Sequence, residues 1–283
     1  MLAKAPTLPV DMAFVDLEDS VAPSEKEAAR PKAVAALRDQ DWGEKVVCVR
    51  VNAWDTRWTV YDVVEVVGSA GPRLDAVMLP KVQSPEEVVA LDLLLRQVET
   101  TAGLAPGHLG IEAQIETAAG LLRVAEICAA SPRLETVILG PIDMSASLEL
   151  PGSIDGSAVP ESIRVQLVVA GRAAGIQVID GPYSVIRDLD GARRHYERSQ
   201  RLGYDGAWVL HPDQIAIANE VYAPDQDGFD RACAVLDAYE TATTTGERRG
   251  AAMLGDEMID EASRKVALKM VARGERAGLR RST

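Results

Sequence analysis

Seven short apolar runs recur before residue 215, and nearly every one stops on a polar or charged residue. They are MAFVDLED (12–19), VVCVRVN (46–52), AVMLPKV (76–82), IEAQIET (111–117), TVILGPID (136–143), IQVIDGP (176–182) and AWVLHP (207–212). Between them lie amphipathic stretches such as 84–100, where Val88, Leu91, Leu94, Leu95 and Val98 fall on one helical stripe. Strands this apolar, each followed by a helix, are what a parallel sheet covered by helices requires. A (β/α)8 barrel carries its chemistry at the C-terminal ends of its strands, where the polar residues fall here. The rival is a doubly wound sheet, but that would place a Gly-rich loop after the first strand, and none is present.

The expected fold class is therefore α/β, a (β/α)8 TIM barrel with a C-terminal helical arm. Seven strands leave the barrel one short. Nothing after Asn219 reads as an eighth, and the opening MLAKAPTLPVD reads as the tail of a helix plus a loop. The expectation is that the first strand lies upstream of Met1, or that its place is filled in another way. At 283 residues, 47% hydrophobic, the chain is long enough for one such domain with an appendage. Residues 1–222 are assigned to the barrel and 223–283 to an arm or lid. The arm comprises a helical stretch at 227–244, a turn-rich link at 245–249, the segment GAAMLGDEMID and a last helix rich in Lys and Arg.

A formal net charge of −13 argues against a nucleic-acid or anionic-membrane surface, which clustered Lys and Arg would bind. No run reaches the roughly 18 apolar residues of a membrane span, and no signal peptide is evident, so a cytoplasmic protein is expected. Cys48, Cys128 and Cys233 have no CxxC spacing, and His108, His195 and His211 form no HxxxH or HExxH cluster. Neither a disulfide framework nor a zinc site is indicated.

Within VDLED, alternation puts Asp16 and Glu18 on one face, with Asp19 at the strand end. Three carboxylates so close need cations, and Arg50 and Lys81 stand at the ends of the next two strands. A structural ion-pair network is the alternative to a substrate site. Glu116 and Asp143, 27 positions apart, would meet at the rim of adjacent strands. Two carboxylates with open positions suit Mg²⁺, which keeps waters and takes substrate oxygens as further ligands. Gly140-Pro141 would end the strand and turn Asp143 toward the ion. A solvated Asp in a loop is the plainer alternative.

FVDLEDSVAPSEKEAAR, VRVNAWDTRW, MLPKVQSPEEV, the IET of 115–117, LGPIDMSAS and LGYDGAWVLHPDQI, in this order, resemble the citrate lyase β-subunit-like branch of the HpcH/HpaI aldolase family, the CoA ester lyases. The likeness runs from about Val10 to Tyr222 and resumes at GAAMLGDEMID. The Glu116-to-Asp143 spacing and the IDGPY segment most resemble malyl-CoA and β-methylmalyl-CoA lyases. The resemblance implies Glu116 and Asp143 as Mg²⁺ ligands (Mn²⁺ being an alternative), with Asp19 holding a metal-bound water. It implies Arg50 as the cation that neutralises a thioester enolate and Asp260 as an acid/base reaching a neighbouring subunit, hence a homotrimer or homohexamer. Asp180, Gly181, Pro182 and His211 would line the CoA channel, although His211 before a proline also reads as a capped strand end. The substrates implied are an acyl-CoA and glyoxylate. Lys81 beside carboxylates would stay protonated, which disfavours a Schiff-base aldolase. Two features depart from the family: its basic first strand is absent, and LGPIDMSASLEL lacks the usual aromatic after the aspartate, which leaves substrate choice open. Citramalyl-CoA lyase, malyl-CoA thioesterase and a non-catalytic CoA-binding or oligomer-forming protein remain as alternatives.

Overall fold

A computed structural model of the chain describes residues 2–151, 158–244 and 250–282. The expected link at 245–249 lies outside them. The chain divides into two compact units, Met1–Val221 and Tyr222–Thr283.

The first unit is a seven-stranded parallel sheet in sequential order. Its strands are β1 (Met12–Asp16), β2 (Val46–Arg50), β3 (Ala76–Leu79), β4 (Gly110–Ile115), β5 (Leu134–Leu139), β6 (Gln177–Asp180) and β7 (Gly206–Ala207). Each follows one of the apolar runs, as the alternation of strand and helix requires. Helices α1 (Lys26–Asp39), α2 (59–70, with a π-helical turn at Val63–Val67) and α3 (Pro85–Thr101) lie between β1 and β4. The broken helix α4 (Ala118–Leu122 and Val124–Cys128) precedes β5. The later helices of this unit are α5 (Pro141–Ser147), α6 (Glu161–Ala174), α7 (Leu189–Leu202) and α8 (Ile215–Tyr222). The opening segment is a 3₁₀ turn, Leu2–Thr7, followed by a loop.

Strand alternation sorts the side chains into two sets. Val49, Val77, Ile111, Ala113, Val137 and Val178 are buried on the helix-facing side. Each of the Val and Ile side chains contributes about 1.5–3 kcal/mol on burial. The opposite parity faces the curled interior, where Cys48, Ala76, Met78 and Ile138 pack with the half-buried Met12, Phe14, Ile179 and Trp208. Among the described residues no ladder joins β7 to β1. Phe14 and Trp208, from β1 and the segment after β7, stack with ring centroids 4.8 Å apart. The last strand is shorter than its apolar run: only Gly206 and Ala207 pair with β6.

The second unit holds helices α9 (Gln226–Thr244) and α10 (Glu261–Arg276) with an antiparallel hairpin, β8 (Ala251–Leu254) and β9 (Glu257–Asp260). The sequence reading expected only turns at the hairpin. Gly255, at φ +61°, supplies the left-handed residue its two-residue turn needs. No described helix is long and apolar enough to cross a membrane.

Candidate active site

The polar strand ends gather around Arg50, the last residue of β2. Its Nε and Nη2 each donate to a different oxygen of Asp16 at 2.7 Å. Nη1 lies 3.2 Å from Glu18 Oε2 and 3.5 Å from Gln114 Oε1. The guanidinium also stands 5.8 Å from the Phe14 ring centre and 5.3 Å from that of Trp208. Two parallel bonds and an aromatic floor fix a planar cation more firmly than a flexible ammonium could be fixed. Burial alone would raise the Asp16 carboxyl, but the Arg50 bonds outweigh it and hold the group below the ordinary carboxylate range.

Glu18 is buried, bonds Lys81 Nζ, and accepts the Asp19 N–H at 2.9 Å. Burial pushes its carboxyl up in spite of the Lys81 bond. Lys26 Nζ donates to the Leu17 and Glu18 carbonyls at 2.9 and 2.7 Å, and Asn52 Nδ2 donates to Leu17 at 3.0 Å, so this segment's backbone is pinned from beneath. Lys81 sits at φ +52°, left-handed for a residue with a side chain. That strained turn aims its N–H at Glu116 Oε1, 2.8 Å away, while its Nζ reaches Glu18 and lies 3.3 Å from Asp19 Oδ1. Burial would lower the Lys81 ammonium, but the bond to Glu18 and the charges of Glu18, Asp19 and Asp143 raise it above the ordinary lysine value. A lysine held protonated is no Schiff-base nucleophile.

Glu116, 1% exposed just beyond β4, accepts from the Lys81 N–H and, at 2.6 Å, from Gln114 Nε2. Its carboxyl is pushed up to about 8, by burial first and by the negative charge of Asp143 second. Asp143 is the third residue of α5, which Pro141 starts; a proline suits a first turn because its missing N–H has no helical partner there. Among the described residues Asp143 has no hydrogen bond or ion pair. Gly140 is obligatory at the turn: a methyl there would lie 2.2 Å from Glu116 Oε2 and 2.9 Å from Gln114 Nε2.

A buried carboxyl raised by the charge of a second one takes up a proton to relieve that repulsion, and a bound cation would relieve it in the proton's place. No third His, Cys, Asp or Glu among the described residues completes a metal cluster. The oxygen-only pair therefore fits a hard ion that retains waters, such as Mg²⁺, and not a closed zinc site.

Other expected residues fall elsewhere. Asp180 was expected to line a channel, but it is fully buried on the helix-facing side of β6, paired with Arg164. Its parity is that of Val178, so its side chain points away from the curled interior. Gly181 and Pro182 are buried behind it. His211 is half-exposed and accepts from the Asp213 N–H at 3.3 Å, capping a short 3₁₀ turn. Asp260 caps α10 through a reciprocal capping box with Ser263, and these bonds lower its carboxyl below the ordinary value. Gln114, Lys26 and Asn52 were not singled out from the sequence. Gln114 shares strand parity with Glu116, which is the signal that would have found it; Lys26 and Asn52 carry none beyond their polarity.

Residues 1–212 match the family model of the HpcH/HpaI aldolase/citrate lyase. The chain belongs to the HpcH/HpaI family. Among its curated relatives in that family, an L-malyl-CoA/β-methylmalyl-CoA lyase of Cereibacter sphaeroides is 36% identical over 94% of this chain and 87% of the relative. A (3S)-malyl-CoA thioesterase of the same species is 34% identical over 97% of this chain and 90% of its own length. Among solved structures, protein CitE of Mycobacterium tuberculosis, in complex with magnesium, acetoacetate and coenzyme A, is 29% identical with a TM-score of 0.74, covering 94% of this chain and 90% of that one. As the HpcH/HpaI assignment carries with it, the chain is an enzyme of the carbon–carbon lyase class.

Proposed function

We propose that this chain is a Mg²⁺-dependent CoA ester lyase that reversibly cleaves malyl-CoA or β-methylmalyl-CoA to glyoxylate and acetyl-CoA or propionyl-CoA. The observation that carries the reading is buried Glu116, raised by the nearby charge of Asp143 and linked through Gln114 to a rigidly held Arg50. Likeness to the named lyase adds the substrate class.

Glu116 and Asp143 would hold the ion. When bound, Mg²⁺ supplies a Lewis acid for the carbonyl and carboxylate oxygens of glyoxylate. Asp19, exposed and 3.3 Å from Lys81 Nζ, would support the ion from outside this pair by accepting from its hydration water. Arg50 faces the enolate oxygen that develops on the thioester; because Asp16 already fixes its plane, no reorganisation is needed as charge appears. In cleavage a base takes the proton of the 3-hydroxyl, and in condensation it takes the α-proton of the acyl-CoA. Asp260, on an arm from a neighbouring subunit of a homotrimer or homohexamer, is the residue we assign to this step. His211 is assigned to the pantetheine path, and Asp180, Gly181 and Pro182 to the fold beneath it.

The second reading is the thioesterase, favoured by the 34% identical relative, in which water releases free CoA. Product analysis decides between them. Glyoxylate with acetyl-CoA supports the lyase, whereas malate with free CoA and no glyoxylate overturns it.

A further inference from the structure

The proposed chemistry makes no use of the most deeply buried charge cluster in the barrel unit. Asp180 is its hub. Oδ1 accepts from the Arg164 guanidinium and, at 2.9 Å, from the Gly181 N–H; Oδ2 accepts from the Ser199 hydroxyl and lies 3.5 Å from His195 Nε2. Asp180 and Ser199 are 0% exposed and Arg164 1%. His195 Nε2 also lies 3.1 Å from the Gly181 carbonyl oxygen, while Nδ1 lies 3.3 Å from Arg198 Nη2; donation to Gly181 puts the ring proton on Nε2. Gly181 is therefore gripped at both peptide groups, its N–H by Asp180 and its C=O by His195.

What Gly181 touches gives the cluster a purpose. A methyl group there would lie 2.1 Å from Pro141 Cδ and 2.5 Å from the Leu139 carbonyl oxygen. On its other side the same Leu139-Gly140-Pro141 turn meets Glu116, whose Oε2 would lie 2.2 Å from a methyl at Gly140. The turn is wedged between a carboxylate and a clamped glycine with no clearance on either side. Asp143 sits two residues past Pro141 in α5. Any shift of Gly181 must move the turn, and with it the spacing between Asp143 and Glu116.

We propose that Arg164, Asp180, Ser199 and His195 are positioning residues for divalent-cation binding, acting through the Gly181–Pro141 contact on Asp143. An ion pair this buried contributes little net stability by itself, so what it fixes in place is its more telling role. Outer groups that orient metal ligands typically alter affinity about 10–100-fold. The inference rests on reading Glu116 and Asp143 as the cation ligands.

The test is direct binding of Mn²⁺, followed by electron paramagnetic resonance, and of Mg²⁺, by calorimetry, to the purified full chain without substrate. Wild type is compared with Gly181→Ala, the milder Ser199→Ala, and Gly171→Ala. The last is a control for helix–sheet strain: a methyl at Gly171 would press Val178 Cγ2 at 2.4 Å on the helix-facing side of the sheet, touching neither Gly181 nor Pro141. Expected are a roughly 10–100-fold loss of affinity in Gly181→Ala, about a fivefold loss in Ser199→Ala, the equivalent of one hydrogen bond, and wild-type affinity with a lowered Tm in Gly171→Ala. Wild-type affinity in both Gly181→Ala and Ser199→Ala overturns the inference, and Ser199→Ala alone decides it where Gly181→Ala does not fold. Equal losses in the Gly171→Ala control overturn it too, because strain would then account for them. No cation binding by wild type overturns the Glu116–Asp143 reading itself, and the inference with it.

Discussion

At the scale of residues, Arg50 joins the most contacts into one function, because it binds Asp16 and Glu18 while leaning on two aromatic rings. Arg50→Lys keeps the charge but loses the bidentate geometry. Its kcat is expected to fall about 10²–10³-fold, as for a lost oxyanion donor, with KM changing far less; steady-state kinetics check this. Glu112 makes a separate, pH-dependent prediction. Burial, opposed by the Cys48 thiol and aided by the charge of Glu135, raises its carboxyl from 4.5 to about 7. The folded chain thus keeps a proton that the unfolded chain releases between those values. This contribution to stability is full below about pH 4.5 and is lost as pH rises through about 7, a change of roughly 3 kcal/mol. Denaturant unfolding at pH 5 and pH 8 should show a smaller loss in Glu112→Gln than in wild type, the remainder belonging to Glu116, whose carboxyl is also raised, to about 8. The positions of Arg50, Glu116 and Asp143 at or just past strand ends were legible in the sequence because each closes an apolar run. Gln114 was not, since a neutral amide in a strand looks like ordinary polarity until its parity with Glu116 is noticed. Asp180 entered the CoA-channel set through the family resemblance, and its shared parity with Val178 assigns it instead to the helix side.

At the scale of elements, the seven strands were readable because helix-covered parallel strands must be apolar on both faces. The hairpin Ala251–Leu254 and Glu257–Asp260 was not readable, because alanines, methionines and acids alternate there without a β-branched run. Asp260 stands where that hairpin becomes α10, and its two roles can be separated. Asn caps a helix about as well as Asp. Asp260→Asn should therefore leave Tm unchanged while lowering turnover about 10²–10⁴-fold, the usual worth of a positioned base. Glyoxylate release at the wild-type rate would remove Asp260 from the mechanism. The edges of the sheet offer a further check through the Phe14–Trp208 stack. Trp208→Ala should cost about 2 kcal/mol of stability, less than a fully buried aromatic because the ring is half-buried, and should slow turnover by loosening the floor under Arg50.

At the scale of the whole molecule, the proposal gives the two compact units two parts of one reaction: the barrel would hold the cation and Arg50, and the arm would supply Asp260 to a neighbour. Mixing inactive Arg50→Lys with inactive Asp260→Asn chains, unfolded and reassembled together, should restore roughly a quarter of wild-type activity by random assortment in a closed oligomer. No recovery would place both residues in the same chain's site. The central claim is that Glu116 and Asp143 bind a divalent cation on which carbon–carbon cleavage depends. The most direct measurement is glyoxylate release from malyl-CoA by the purified chain, with Mg²⁺ and then with EDTA. Release that EDTA abolishes and added Mg²⁺ restores is the predicted result; release at an undiminished rate in EDTA would contradict it.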